Sequence, residues 1–230
     1  MEDGKRMIKL NILYEDNHII VVEKPINILS QSDITGDTDM LTILKEYIKE
    51  KYNKPGNVYL GLVHRLDRPV GGIMVFAKTS KAASRLNEQI RERTFEKTYL
   101  AVVYDNDLKD NGTFEDHILK LDDGNSVVSD KGKLSKLTYQ VLERKKNKAL
   151  VEIHLETGRH HQIRVQFASR GFPLCGDQRY GRMDKTQIAL YAYRLKFLHP
   201  TTKETMEFMN VPTSEPYWTQ FTMSNIVKSN

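Results

Sequence analysis

A charged turn between two apolar runs, residues 63–78, is the feature that most limits how this chain can fold. Residues 58–63 and 73–77 are rich in aliphatic and aromatic side chains, which predicts two short buried strands. The connection between them contains turn-forming residues: Pro69, Gly71 and Gly72. The sequence therefore predicts two strands joined by a tight loop.

A single carboxylate, Asp67, stands in this loop between Arg65 and Arg68. Neighbouring cations favour the ionised form of a carboxylate, so the loop can present a fixed negative charge. A surface ion pair that caps a turn would have the same local sequence, because charge pairs also occur for purely structural reasons. The local sequence leaves both interpretations open.

The order of the other elements predicts an α+β fold, with a mixed, largely antiparallel central sheet flanked by helices. No linker, repeat or low-complexity tract divides the chain, so residues 1–230 are expected to form a single domain. Apolar and β-branched patterns predict strands at 18–23, 97–104, 136–142, 149–155 and 188–197, and helical spacing predicts helices at 41–52, 80–93 and 161–169. Thr79 or Ser80 is the expected N-cap of the second helix.

Composition and charge restrict the class of protein. No apolar run approaches the roughly 18 residues of a membrane span, and residues 1–10 contain no apolar stretch typical of a secretory signal. The single cysteine, Cys175, can form no internal disulfide, which fits a reducing cytoplasm. The net charge of +5 and the basic stretches 85–97 and 131–148 are compatible with a polyanionic partner, although a solvated hairpin would explain the second stretch equally well.

The sequence does not predict metal catalysis or phosphoryl transfer. His160 and His161 are adjacent, and neighbouring residues of a helix point about 100° apart, so the pair does not have the spacing of metal ligands. Residues 64–67 have a partial likeness to the catalytic loop of protein kinases, but no Gly-rich phosphate loop and no Asp-Phe-Gly accompany it. No metal site and no phosphoryl transfer are expected.

Several segments, taken together and in order, resemble the RluA-type pseudouridine synthases. The matching segments are residues 22–25 with 31–33 and 35–37, 64–68 with 72–74, 97–103, 157–165, 176–181 and 190–200. The resemblance implies the fold of that family, a central sheet with the catalytic cleft across one face. Only a short leader precedes the first predicted strand, so no S4-like recognition domain is expected.

The resemblance also implies roles for individual residues. Asp67 would be the essential catalytic residue, Tyr99 would lie beside the target base, and Arg164 would reach Asp67 across the cleft. A guanidinium can hold a carboxylate through two parallel hydrogen bonds, which is the geometry expected of that pair. Further substrate-binding helpers are expected at Arg65, Arg68, His64 and His161.

The implied reaction is the isomerisation of a uridine to pseudouridine in a stem-loop of rRNA or tRNA, by a monomer that needs no cofactor. The chain departs from the usual family pattern at several positions: Pro69, Val70, Gly71, His160, Gln166 and Tyr191. These departures leave the target RNA open, and residues 31–39 and 120–148 are the loops expected to select it. A protein that binds RNA without modifying it is the competing hypothesis, distinguished by having no need of Asp67.

Overall fold

The computed structural model describes residues 10–183, 185–213, 216–223 and 226. Residues 1–9, on which the expectation of no secretory signal largely rests, lie outside the described residues. The strands are β1 Asn11–Glu15, β2 Ile19–Lys24, β3 Gly61–Leu62, β4 Gly71–Ala77, β5 Glu96–Tyr104, β6 Asn111–Lys120, β7 Ser126–Val128, β8 Lys133–Lys145, β9 Lys148–Leu155, β10 Leu190–Leu198 and β11 Thr205–Met209. The helices are α1 Met40–Lys51, α2 Ser80–Glu92 and α3 Gln162–Ala168, and a 3₁₀ turn covers Trp218–Gln220.

The strands of the described residues form one sheet, in the order β1-β2-β4-β10-β5-β9-β8-β6-β7, with β11 on β10 and β3 on β4. The pairing of β4 with β10 is parallel, whereas each of the other pairs is antiparallel. The predicted mixed, largely antiparallel sheet is therefore confirmed. The parallel pair matters most, because it brings the start of β4 and the loop before it beside the centre of the sheet.

Alternation along β5 separates the two faces of the sheet. Tyr99, Ala101 and Val103 belong to the core cluster that also contains buried residues of α1 and α3. Leu100 and Val102, which point to the opposite face, pack with the 3₁₀ turn near the C-terminus. Because successive strand residues face opposite sides, Tyr99 lies on the same face as α3.

Residues 120–148, expected to act as a loop that selects the RNA, are mostly strand. β7 and β8 lie within that range, and the lysine-rich segment is the hairpin between β8 and β9. The predicted loop at 31–39 does lie outside the helices and strands. The description of 120–148 as a loop was therefore wrong.

The start of α2 provides a test of local stability. The Thr79 hydroxyl accepts a hydrogen bond of 3.1 Å from the backbone N–H of Ala82, as expected of an N-cap. Thr79→Ala should lower the free energy of unfolding by about 1 kcal/mol, since a helix-terminal N–H loses its partner. Urea denaturation measures the change. Thr79→Ser, which keeps the hydroxyl, should remain close to the parent protein, and equal losses in both variants would contradict the capping role.

Candidate active site

The loop between β3 and β4 carries Asp67 to the junction of two cavities. Asp67 lines a cavity of about 570 Å³ and an adjoining one of about 530 Å³, and its side chain is 26% exposed. The loop is held from one side by Ser30, whose hydroxyl donates to the carbonyl of Leu66 (2.8 Å) and accepts from its N–H (3.1 Å). The carboxylate is thus fixed in place and still open to solvent.

Lys24 holds the same loop from beneath. Its buried ammonium donates to the backbone carbonyls of Pro25 (2.9 Å), Ile28 (2.5 Å) and Arg68 (3.1 Å). Burial lowers the pKa of Lys24 to about 7, and the charge of Asp67 opposes that fall. The ammonium therefore joins the end of β2 to the loop that contains Asp67.

Arg164, on α3, contacts two carboxylates. Its Nη1 donates to Oδ2 of Asp67 at 3.3 Å, while Nε and Nη2 donate to the two oxygens of Asp177 at 2.8 Å each. Asp177 is buried and also accepts from the backbone N–H groups of Arg179 and Tyr180. The expected contact between Arg164 and Asp67 is present, but the prediction of two parallel bonds in that pair was wrong, since the guanidinium fork is on Asp177.

His161 adopts a left-handed backbone conformation, φ +54°, directly before α3. Its Nε2 lies 3.6 Å from Oδ2 of Asp67, and its Nδ1 lies 2.7 Å from the hydroxyl of Tyr180. Burial lowers the pKa of His161 to about 4, although the charge of Asp67 opposes the fall. The imidazole is therefore neutral at pH 7, and it contacts Asp67 itself.

Tyr99 lines the larger cavity together with Asp67. Its ring is buried on β5, between Ile153 of β9 and Ala192 of β10. Burial raises the pKa of Tyr99 well above its ordinary value, and the charge of Asp67 raises it further. The phenol remains neutral and offers both an aromatic face and a hydroxyl to an occupant of the cavity.

Arg65 and Arg68, which were predicted to help bind the substrate, have different surroundings. Arg65 is exposed and lines both cavities. Arg68 forms an ion pair of 2.7 Å with Asp37 at the surface. In the part of the chain that the structure describes, neither of these arginines lies within ion-pair distance of Asp67.

The side chain of His64 packs against the sheet. Its Nε2 accepts a hydrogen bond of 3.1 Å from the backbone N–H of Val75 in β4, and its ring packs against Phe95 at 5.4 Å between centroids. Burial lowers the pKa of His64 to about 3, with a further contribution from the charge of Lys97. The hydrogen bond ties the segment that contains Asp67 to β4, and His64 has a structural place at the wall of the cavity.

Three side chains near the site were given no individual role from the sequence. Asp177 and Tyr180 lie in the segment 176–181, which was matched to the family but given no role. Lys97 lines the larger cavity, where burial lowers its pKa. The basic side chains that line this cavity are Arg65, Arg91, Arg93, Lys97, Arg159 and Arg164, against the carboxylates Asp67 and Glu156. Such a surface favours a polyanionic ligand.

Metal clusters and membrane-spanning helices are both absent from the described residues. Among the described residues, no group of three or more His, Cys, Asp or Glu side chains is arranged to hold a metal ion. Over the same part of the chain, every helix is too short or too polar to cross a membrane.

The basic cleft beside Asp67 is compatible with a polyanionic ligand. The family model described as RNA pseudouridylate synthase matches residues 18–169. The chain belongs to this family, whose members are RNA isomerases, and the resemblance seen in the sequence is confirmed.

Individual relatives agree with this assignment. The chain is 37% identical to an uncharacterized RNA pseudouridine synthase of Aquifex aeolicus, over 87% of this chain and 69% of the relative. It is 36% identical to the ribosomal large subunit pseudouridine synthase C of Salmonella typhimurium, over 85% of this chain and 64% of that protein. The solved structure of human RNA pseudouridylate synthase domain containing 4 has the same fold, with a TM-score of 0.75, 22% identity, and coverage of 91% of this chain and 90% of the human one.

Proposed function

We propose that this protein converts a uridine of ribosomal RNA to pseudouridine, with Asp67 as the catalytic residue. The observation that carries the proposal is the position of Asp67, open to two cavities while Arg164 contacts one of its oxygens. Tyr99 in the same cavity supplies a stacking surface for an everted base. Membership of the family supports the reaction class.

The reaction needs no redox step and no group donor. The bond from C1′ to N1 of the uridine breaks, the uracil turns, and a bond from C1′ to C5 forms. The hydrogen of C5 is lost and N1 gains one, so the product is an isomer of the substrate. The carboxylate of Asp67 can serve either as a nucleophile at C1′ or as a base toward a ribose proton, and both routes require it ionised and open to the cavity.

The target is proposed to be a stem-loop, because a base in a loop can be turned into the cavity at lower cost than one inside a duplex. The name of the Salmonella relative favours rRNA of the large subunit over tRNA. We further propose that the described residues form one catalytic domain, since one sheet runs from β1 to β7. The enzyme is proposed to act as a monomer. A cytoplasmic location follows from that substrate.

The direct test is incubation of the purified protein with rRNA and tRNA from cells that lack the gene. Carbodiimide treatment followed by reverse transcription then detects pseudouridine as new stops. We expect one or more stops in rRNA that appear only with enzyme. If the protein bound these RNAs and produced no stop in any of them, the alternative of a silent RNA-binding protein would replace this proposal.

A further inference from the structure

A chain of hydrogen bonds leads from the backbone of β7 to Asp67. The N–H of Ser126 donates to the hydroxyl oxygen of Tyr180 at 2.8 Å. That hydroxyl lies 2.7 Å from Nδ1 of His161, whose Nε2 lies 3.6 Å from Oδ2 of Asp67. Four segments of the chain, around residues 67, 126, 161 and 180, thus meet in a line that ends at the carboxylate.

The donors in this line fix the position of the imidazole hydrogen. The Tyr180 oxygen already accepts from the N–H of Ser126, and Nδ1 of His161 lies within hydrogen-bond distance of its own hydrogen. The Ser126 hydroxyl, which is also close to Tyr180, lies 2.9 Å from Nδ1 of His160. When the hydroxyl donates to Nδ1, the hydrogen of a neutral imidazole must be on Nε2. The other tautomer would turn the lone pair of Nε2 toward the carboxylate of Asp67, 3.6 Å away.

We propose that Tyr180 is a positioning residue: it sets the tautomer of His161, so that an N–H of His161 and an N–H of Arg164 both point at Oδ2 of Asp67. The role rests on the proposed function insofar as Asp67 is catalytic. The separation of 3.6 Å is longer than a direct hydrogen bond, and contacts of this kind commonly shorten once substrate is bound.

The two oxygens of Asp67 therefore have different surroundings. Oδ2 faces both donors, whereas Oδ1 makes no hydrogen bond or ion pair with any described residue. The orientation of the carboxylate about its Cβ–Cγ bond is therefore set, and Oδ1 is the oxygen presented to the nucleoside. His161 acts on Asp67 in this arrangement, which differs from the substrate-binding role predicted for it.

The backbone of His161 offers a way to separate this role from a structural one. Its left-handed conformation suits asparagine better than glutamine. The amide nitrogen of glutamine can stand near the position of Nε2, whereas that of asparagine stands near Nδ1. If His161 mattered only for the fold, asparagine would be the better replacement. If its Nε2–H is the working group, glutamine should be better.

The first measurement is the tautomer itself, in ¹⁵N-histidine-labelled protein without RNA, with the His161→Gln spectrum used for assignment. We expect the Nε2–H tautomer in the parent protein and a gain of the Nδ1–H form in Tyr180→Phe. A parent protein in the Nδ1–H form, or a Tyr180→Phe spectrum identical to the parent's, would overturn the proposal. This result does not depend on whether the protein modifies RNA, so it separates this proposal from the proposed function.

The second measurement is turnover on the RNA identified above. Tyr180→Phe should lower kcat by about tenfold or more, as expected when a tautomer is no longer fixed, with KM changed less than about twofold. His161→Gln should retain more activity than His161→Asn. Tyr47→Phe, which loses a 3.0 Å hydroxyl bond to Glu15 on another part of the molecule, is the matched control and should turn over normally. Higher activity in His161→Asn than in His161→Gln would refute the positioning role.

Discussion

Asp67→Asn should abolish pseudouridine formation and leave RNA binding nearly unchanged. Asparagine has almost the same shape, but its amide is neither a nucleophile nor a base, so the loss of rate should be about 10³-fold or more. Arg164 keeps its two bonds to Asp177, which should hold the cleft together. Carbodiimide mapping measures the product, and filter binding measures an RNA affinity expected to stay within about twofold, because a carboxylate makes no favourable contact with a phosphate.

A suitable control for this variant is Asp107→Asn. Asp107 is exposed in a turn, with φ +77°, a conformation that asparagine adopts as readily. The two changes remove the same charge from the protein, one inside the cleft and one outside it. Full activity in Asp107→Asn together with none in Asp67→Asn would assign the effect to the site. Residual activity in Asp67→Asn near that of the parent would exclude the catalytic role.

The local parts of this fold were predictable because their signals are local. α1 and α2 begin within two residues of the predicted positions, since capping residues and apolar spacing are contained in one turn of chain. Four strands were not predicted: β1, β6, β7 and β11. Of these, β1 and β11 lie at the margins of the sheet. Their short sequences are only partly buried, and such edge strands carry a weak alternation signal. The sequence shows an aromatic residue at Trp218, but it does not predict which face of the sheet this residue covers.

The partners within the site were less predictable, because they come from segments distant in sequence. Arg164 and Asp67 are 97 residues apart, and only the resemblance to a family joined them. The sequence alone cannot say which of two carboxylates a guanidinium will face with its fork. The guanidinium fork faces Asp177, which is the more deeply buried of the two carboxylates. An unpaired charge would be most costly at that buried position. The structure explains the departure from the family pattern at Tyr191, because the Tyr191 hydroxyl donates a hydrogen bond of 2.6 Å to Glu23.

Arg164→Lys should reduce turnover by about 100-fold, the usual effect of losing one preorganised donor at a reacting group. Lysine keeps the charge but has one nitrogen, whereas Arg164 uses Nε and Nη2 on Asp177 and Nη1 on Asp67. Asp177 is 1% exposed, so an ammonium that faced Asp67 would leave a buried carboxylate unpaired. We expect the lysine to pair with Asp177, and Asp67 to lose its cationic partner.

The same reasoning separates turnover from binding in this variant. Arg164 is 6% exposed, so it offers little surface to the RNA backbone, and affinity should change less than about threefold. Arg85→Lys is a matched control. Arg85 lies on α2, outside both cavities, and donates a hydrogen bond of 2.8 Å to the carbonyl of Pro200. Turnover of this variant should be normal. Melting curves establish the temperature at which all variants are folded. Equal turnover of Arg164→Lys and the parent protein would mean that Asp67 needs no guanidinium, whereas parallel losses of affinity and rate would make Arg164 an RNA ligand.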